Sequence, residues 1–460
     1  MQTEQLYQIY LKHPLISTDT RKITPGSLFF ALKGDKFDAN KFAQQAIEAG
    51  AAYAVIDNPD YQLDERYILA DDALTALQEL ARHHRRQLTI PVIGLTGTNG
   101  KTTTKELISA VLSQHFKTQF TRGNLNNHIG VPLTILIIDP THEIAVIEMG
   151  ANHQKEIGFL CTIAQPTHGL ITNVGKAHLE GFGGVEGVKK GKGELYEYLS
   201  REVRKAESPK EEHGVVFINH NNPILLEMQQ ARNLKRAVYY GIGDKNNLVS
   251  GEIVENAPYL SLQWENNRSN TIRRAKTRLT GAYNLDNILA AICIGVYFGL
   301  TDEEINRGIE GYQPNNNRSQ IVQTAINTLI CDYYNANPSS MIVAIENMDK
   351  LTANRKVLIL GDMFELGNEA AAEHEAIMRK ALDTPVDERI FIGGEFYKWS
   401  QEVRKSGSRE EGNTPGAGHA VFYKTAEDAM MALKANPIKN STILIKGSRG
   451  MALERLVELF

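Results

Sequence analysis

Lys101 and Thr102, preceded by Gly97 and Gly100, are the residues whose types and spacing point most directly to chemistry. They stand in the stretch Thr96-Gly97-Thr98-Asn99-Gly100-Lys101-Thr102-Thr103. The apolar run Val92 to Leu95, just behind Pro91, reads as a buried strand. A helix is expected from about Thr102 to Leu112. A glycine-punctuated turn between the two aims backbone N–H groups and the positive end of a helix at one point, so an anion is favoured there. Lys101 adds a full charge that can reach a terminal phosphate, and the Thr102 hydroxyl suits a magnesium ion. The spacing departs from the strict phosphate-loop pattern, with Leu95 where a glycine is usual and Gly94 one place early. The flanking strand and helix carry the assignment.

Further candidates follow the expected strands. Glu148 closes a strand over Glu143–Met149, and the carboxyl ends of parallel strands are where such sheets bind ligands. It is a candidate metal or catalytic carboxylate; the plainer reading is a surface acid. His178 follows a strand over Gly169–Val174 and is a candidate magnesium ligand, although magnesium prefers oxygen. Lys192 lies on a helix over Glu186–Leu199 with Lys189 and Lys190, and spacing alone makes that a solvated face. The amides of Gly123-Asn124-Leu125-Asn126-Asn127-His128 form a loop, or neutral partners for a polar substrate. Asn284 reads as the cap of an apolar helix ended by Gly299; Asn287, one turn inside, could read a base edge.

These residues need large scaffolds. The chain has 460 residues, enough for about three domains of roughly 100–200 residues each. A charged fraction of 23% is ordinary for globular chains. The net charge of -4 argues against a nucleic-acid partner. Cys161, Cys293 and Cys331 are too few and too scattered for a disulfide or zinc framework. Met1 to Leu11 reads as no secretory signal and no run reaches membrane-spanning length, so a soluble cytoplasmic enzyme is expected.

Boundaries are expected near Leu88–Pro91 and Pro314–Arg318, dividing the chain into 1–88, 89–314 and 315–460. The first unit reads as a small α/β domain with helix Ala43–Ala49, a helix capped by Asp71, and a polar loop over Lys33–Asp38. Its charged turns are ordinary, or they form a polar-ligand site with Asp19, Thr20 and Arg21. In the second, residues 201–213 read as a surface loop, and Val249–Thr280 as an antiparallel patch. The third alternates strands and helices from Thr328 to a last helix at Met451–Leu459, with a loop at Ser406–Gly418. It reads as an open doubly wound domain whose strand ends carry Asp332, Asp362 and Lys446. It holds no G-x-G-x-x-G and implies no dinucleotide.

Taken together, these motifs resemble the Mur ligase family, the ATP-dependent amide-forming enzymes of peptidoglycan synthesis. The resemblance rests on the phosphate loop, Gly123 to Pro132, Glu148-Met149-Gly150-Ala151-Asn152-His153, Ala177 to Gly183 and Lys192-Gly193-Glu194-Leu195. Tyr333-Tyr334-Asn335-Ala336-Asn337-Pro338, Gly361-Asp362-Met363-Phe364-Glu365 and Lys446-Gly447-Ser448-Arg449 extend it, and point to the branch that adds D-alanyl-D-alanine. It implies a fold of three α/β domains: a UDP-sugar-binding unit, a central phosphate-loop ATPase unit with a mostly parallel sheet, and a Rossmann-like unit. It implies ATP and Mg²⁺ as requirements, and UDP-N-acetylmuramoyl-tripeptide and D-alanyl-D-alanine as substrates of a monomer. Gly97 to Thr103 would hold phosphates. Thr102, Glu148, His178 and Lys192 would serve the metal, and Lys101, Glu148, His178 and Lys192 catalysis; Lys192 occupies the position of a carbamylated lysine. Asn284 and Asn287 match the adenine-contacting helix, with Tyr283 where histidine is more usual. Arg318 and Asp332 match nucleotide contacts. Asp19, Thr20, Arg21, Lys33, Gly34, Phe37 and Asp38 match the UDP-sugar domain. Asn124, Asn126 and Asn127 would hold the muramoyl-peptide, and Asn335, Asn337, Asp362 and Glu365 the dipeptide. Alternatives are another ligase of the superfamily or a phosphate-loop NTPase switch.

Overall fold

The computed structural model describes residues 2–205, 214–256, 259–405 and 419–460. Its strands form three main sheets in an α/β architecture. The first sheet is parallel and four-stranded, in the order Ile16–Ser17, Leu28–Phe30, Tyr53–Ile56, Tyr67–Leu69. Beside it Lys33–Gly34 and Phe37–Asp38 pair as a two-stranded antiparallel hairpin, where the sequence reads as a plain loop. The helix behind this sheet, Ala73–Gln87, is capped by Asp72 and not by Asp71. The Asp72 carboxylate accepts from the Thr75 N–H, because only the residue directly before the first turn faces its free donors.

The central sheet has nine strands. Thr271–Lys276, Leu260–Asn266 and Val249–Asn256 make the expected antiparallel patch at one edge. Then come Ala237–Gly241, Val215–Asn219, His168–Ile171, Val92–Thr96, Ile144–Glu148 and Thr118–Phe120, all parallel. Val92–Thr96 is buried throughout, as a strand covered by helices on both faces must be. The strand order turns back on itself around it: the chain leaves for the far edge, returns on one side as Ile144–Glu148, and crosses to the other as His168–Ile171. Such a switch point opens a crevice at the strands' carboxyl ends. Gly94, out of place for a phosphate loop, belongs to the strand. A Cβ there would lie 2.9 Å from both Met149 and Pro166.

The third sheet runs Gln320–Gln323, Asn327–Asp332, Ser441–Lys446, Lys356–Gly361, Glu388–Ile392, His419–Tyr423, parallel except for the first pair. The antiparallel first strand is missing from the sequence reading because four residues give too short a period to see. Three further expectations are corrected. The helix starting at Val185 continues to Lys205, so the expected loop at 201–213 starts later, and its remainder lies outside the described residues, as does the loop at 406–418. The last helix is 3-10, Leu453–Leu459, after a 3-10 turn at Arg449–Met451. Asn284 is the first helical residue and not the cap. Its amide donates inward to the Thr280 carbonyl at 2.8 Å.

Candidate functional site

The crevice at the switch point is the mouth of a cavity of about 870 Å³, walled by the central and third sheets. Thr98, Asn99, Gly100, Lys101 and Thr103 form its floor. Two glycines make the loop possible. Gly97 has φ +147°, and a Cβ would sit 2.0 Å from the Thr172 hydroxyl; Gly100 has φ +76° and is crowded by Asn287. The Asn287 carbonyl oxygen instead accepts from Thr104, tying the apolar helix Asn284–Tyr297 to the helix that begins at Lys101. Asn173 staples the loop from the next strand. Its carbonyl accepts from the Thr98 N–H, and its side chain accepts from the Asn99 N–H and donates to the Asn99 carbonyl. Strand-end position is the signal that could have singled it out in the sequence.

Lys101 folds back, donating to the Gly97 and Thr98 carbonyls at 2.9 and 2.8 Å. Burial pushes its ammonium down to about 8, against the pull of Glu148. Glu148 is 1% exposed and sits at a strand end as expected. Its Oε1 accepts from Asn126 at 2.9 Å and from the Thr102 hydroxyl at 3.3 Å. Its Oε2 is buried with no hydrogen-bond partner among the described residues. A buried carboxylate with one oxygen outside any hydrogen bond and the other beside a threonine hydroxyl fits a divalent cation. No cluster of three or more His, Cys, Asp or Glu exists among the described residues.

Lys192 overturns the solvated-face reading. It is 2% exposed, its ammonium donates to the Ala151 carbonyl at 3.2 Å, and the Phe182 ring lies 4.9 Å away. Burial, then the charge of Lys101, pushes it down to about 7. The sequence does carry a signal for this burial. Gly191 and Gly193 flank Lys192, and each costs a helix about 1 kcal/mol against alanine. A Cβ at either would lie 2.4 Å from Phe182 or Arg232, so the glycines let the helix pack closely.

The third domain closes the cavity with Arg318, Asp332, Tyr334, Asn335, Asn337, Glu365 and Lys446. Lys446 pairs with Asp332 at 2.6 Å. Asn337 donates to the side chain of Asn99 at 2.8 Å, so the third domain grips the phosphate loop itself. His178, held at φ 51°, meets Glu365 across the cleft. Tyr283 meets Ser319 in the same way.

Asn124, Asn126, Asn127, Asn284 and Asn287 also line this cavity, whereas Gly97, Thr102 and Lys192 lie behind its wall. Two groups of expected residues do not come to it. Asp362 caps the helix Gly394–Lys405, accepting from the Glu395 and Phe396 N–H groups at 2.9 and 3.2 Å, so its oxygens are already satisfied. Asp19, Thr20, Arg21, Lys33, Gly34, Phe37 and Asp38 are all in the first domain and none is in the cavity wall. Asp19 pairs with Arg21, Lys33 pairs with Asp57 at 2.7 Å, and Asp38 caps the 3-10 turn Ala39–Phe42.

Comparison with known proteins follows the same three-part division. Family models match residues 14–85 ("Mur ligase family, catalytic domain"), 95–295 ("Mur ligase middle domain") and 317–449 ("Mur ligase, glutamate ligase domain"). The chain is 35% identical over 451 residues to the UDP-N-acetylmuramoyl-tripeptide–D-alanyl-D-alanine ligase of Bacillus subtilis, covering 96% of this chain and 92% of that one. The crystal structure of MurF from Acinetobacter baumannii superposes with a TM-score of 0.83 at 29% identity, over 99% of this chain and 97% of that one. The MurF ligase from Thermotoga maritima, in complex with ADP, has a TM-score of 0.78 at 24% identity over 98% of this chain and 97% of that one, a likeness of fold. A phosphate loop gripped by a third domain, with matches running through all three parts of the chain, places this protein in the Mur ligase family.

Proposed function

We propose that the protein is an ATP-dependent ligase that joins D-alanyl-D-alanine to UDP-N-acetylmuramoyl-tripeptide. The observation that carries this reading is one cavity in which a phosphate loop, a buried strand-end carboxylate and the third domain's cation–carboxylate pair all meet. The named relatives support the choice of substrates.

The chemistry needs two displacements. A carboxylate oxygen of the tripeptide attacks the γ-phosphorus of ATP, and the bond to the bridging oxygen breaks as ADP leaves. The amine of the dipeptide then attacks the acyl carbon. The carbon–oxygen bond breaks with its electron pair on phosphate, and the new nitrogen loses a proton to give the amide. A carboxylate cannot be attacked until one oxygen becomes a leaving group, and three anionic groups must be held together meanwhile. In this reading Gly97 to Thr103 bind the phosphates, and Lys101 leaves its loop carbonyls for the γ-phosphate. Asn284 and Asn287 face adenine; Arg318 and Asp332 complete the nucleotide site. Asn124, Asn126 and Asn127 hold the muramoyl-peptide. Asp19, Thr20, Arg21 and the Lys33–Asp38 hairpin receive the UDP-sugar. Asn335, Asn337 and Glu365 face the dipeptide.

Thr102 and Glu148, with His178 and Lys192 in support, would hold Mg²⁺, which supplies charge neutralisation at the phosphates when bound. A lysine held near 7 is about half neutral amine at neutral pH, and the neutral amine is the form that adds carbon dioxide to become a carbamate. Domain limits of 1–88, 89–314 and 315–460 belong to the same reading, since no sheet among the described residues crosses them. So does a cytoplasmic location, which three free cysteines suit. No helix among the described residues is long and apolar enough to cross a membrane. Sedimentation tests the expected monomer.

The test mixes the protein with ATP, magnesium, UDP-muramoyl-tripeptide and D-alanyl-D-alanine and looks for the pentapeptide by mass. ATP turnover with no new amide would return the NTPase reading.

A further inference from the structure

The helix Lys101–Leu112 carries an acid, Glu106, one turn beyond Thr102. Glu106 is not among the residues that line the cavity, and its side chain is 19% exposed. Its Oε2 accepts twice, from the Tyr312 hydroxyl at 2.7 Å and from the Asn316 amide at 2.9 Å. Both donors flank Pro314, in the link that leaves the central domain. Tyr312 is buried and directly follows the helix Asp302–Gly311. That helix lies close on the helix of Glu106 because Gly308 has no side chain; a Cβ there would sit 2.6 Å from the Cα of Val111. Burial, then the charge of Glu106, raises the Tyr312 hydroxyl above its ordinary value, so it stays a donor. Hydrogen bonds to an ionised acceptor are the strong kind.

Just past Asn316 the backbone turns left-handed twice, at Asn317 with φ 56° and Ser319 with φ 52°. Residues other than glycine keep that conformation only where their surroundings hold them. Ser319 is held: its N–H donates to Asp332 at 3.3 Å and its hydroxyl meets Tyr283. The segment is thus tied at two ends, to the phosphate-loop helix at Glu106 and to Tyr283 and Asp332 at Ser319. Arg318 stands between the ties and lines the cavity. Its guanidinium lies 4.1 Å from the centre of the Tyr334 ring, and its Nε is buried with no hydrogen-bond partner among the described residues. Behind burial, its charge adds to what pushes the ammoniums of Lys101 and Lys105 down, so it stands near the phosphate loop. A cation with a buried donor left open suits an anionic ligand.

We propose that Glu106 is a positioning residue for the nucleotide: by holding Tyr312 and Asn316 it fixes the interdomain link so that Arg318 is presented to the cavity beside the phosphate loop. Glu106 touches no ligand and acts on ATP only through Arg318. This rests on the assignment of Arg318 to the nucleotide made above, and adds the device that carries the position of the phosphate-loop helix into the third domain.

The test uses the full-length protein and measures the Kd for ATP by calorimetry, with magnesium and no acceptor, beside the KM values for ATP and tripeptide. The variants remove the donors and leave Glu106, Lys105 and Glu148 in place. Tyr312→Phe combined with Asn316→Ala should weaken ATP ~10-fold, and each change alone ~3-fold, with the KM for the tripeptide unchanged. Arg318→Ala should weaken ATP at least as much, and adding the two link changes to it should cost less than ~2-fold more. Glu106→Gln, which keeps an accepting oxygen, should weaken ATP less than Glu106→Ala does. A full ~10-fold loss in the Arg318→Ala background overturns the proposal, because the tie would then act on something other than Arg318. Unchanged ATP binding in the two single link variants overturns it as well, even if the combined variant does not fold. ATP binding that follows this pattern with no pentapeptide formed removes the ligase reading and leaves the role of Glu106 standing.

Discussion

The ammonium of Lys105 lies 3.8 Å from Oε2 of Glu148, and neither atom has a hydrogen-bond partner among the described residues. Lys105 is fully buried, 3.7 Å from Glu106 on its other side, and burial pushes it below its ordinary value. Glu106 in turn accepts from Tyr312 at 2.7 Å and from Asn316 at 2.9 Å, in the link to the third domain. Glu148 thus rests beside a buried lysine whose other neighbour, Glu106, holds the link between domains.

Lys105→Met should therefore destabilise the fold by about 3–5 kcal/mol, the usual cost of stranding one half of a buried ion pair. Lys105→Met combined with Glu148→Gln should recover much of that loss. Urea unfolding of the two single variants and the double variant measures the coupling; strictly additive losses would mean the two groups do not interact.

Lys101→Ala should lower kcat/KM for ligation by ~10³-fold or more, because the charge that meets the γ-phosphate is gone. The fold should be kept, since Lys101 now only returns to carbonyls of its own loop. Near-normal ligation by this variant would contradict the phosphate role.

Lys192 sets a pH dependence of stability. Its folded value of about 7 lies below the ordinary 10.5. Between those values the unfolded chain holds a proton that the folded chain has shed, so this residue makes stability rise with pH across that window. Its penalty is fully present below about pH 7. In carbon-dioxide-free buffer Lys192→Met should exceed the wild type in stability at pH 6.5, and the gap should narrow by pH 9. A gap of constant size would show that the amine does not titrate there. Lys192→Ala should be slow, and partly rescued by a short carboxylic acid if a carbamate is the working form.

Asn337 has two jobs that a pair of variants separates. It caps the helix Pro338–Lys350, accepting from the Ser340 N–H at 2.9 Å, and it donates to Asn99. Asn337→Ala should cost ~1 kcal/mol of stability through the cap. Asn337→Asp keeps the cap and loses the donor. Both should raise the KM for ATP, by up to ~10-fold for one lost hydrogen bond. An unchanged KM in Asn337→Asp would detach the third domain from nucleotide binding.

Local order along the chain was enough for the phosphate loop, the strand ending in Glu148 and the alternating strands and helices of the third sheet. Each rests on neighbours in sequence: a buried apolar run, glycines that permit the turn, and the rule that parallel strands bind ligands at their carboxyl ends. Packing between distant segments decided the rest. Lys192 looks like a solvated lysine because charge spacing is the same whether a helix face meets water or Phe182; only the close approach at Gly191 and Gly193 buries it. Asp362 and Asn337 are equally polar and both near strand ends, yet one is consumed in capping a helix and the other reaches Asn99, 238 residues away. Glu106 reads as one more acid on a helix, and no periodicity in that helix encodes that Tyr312, 206 residues away, folds back onto it.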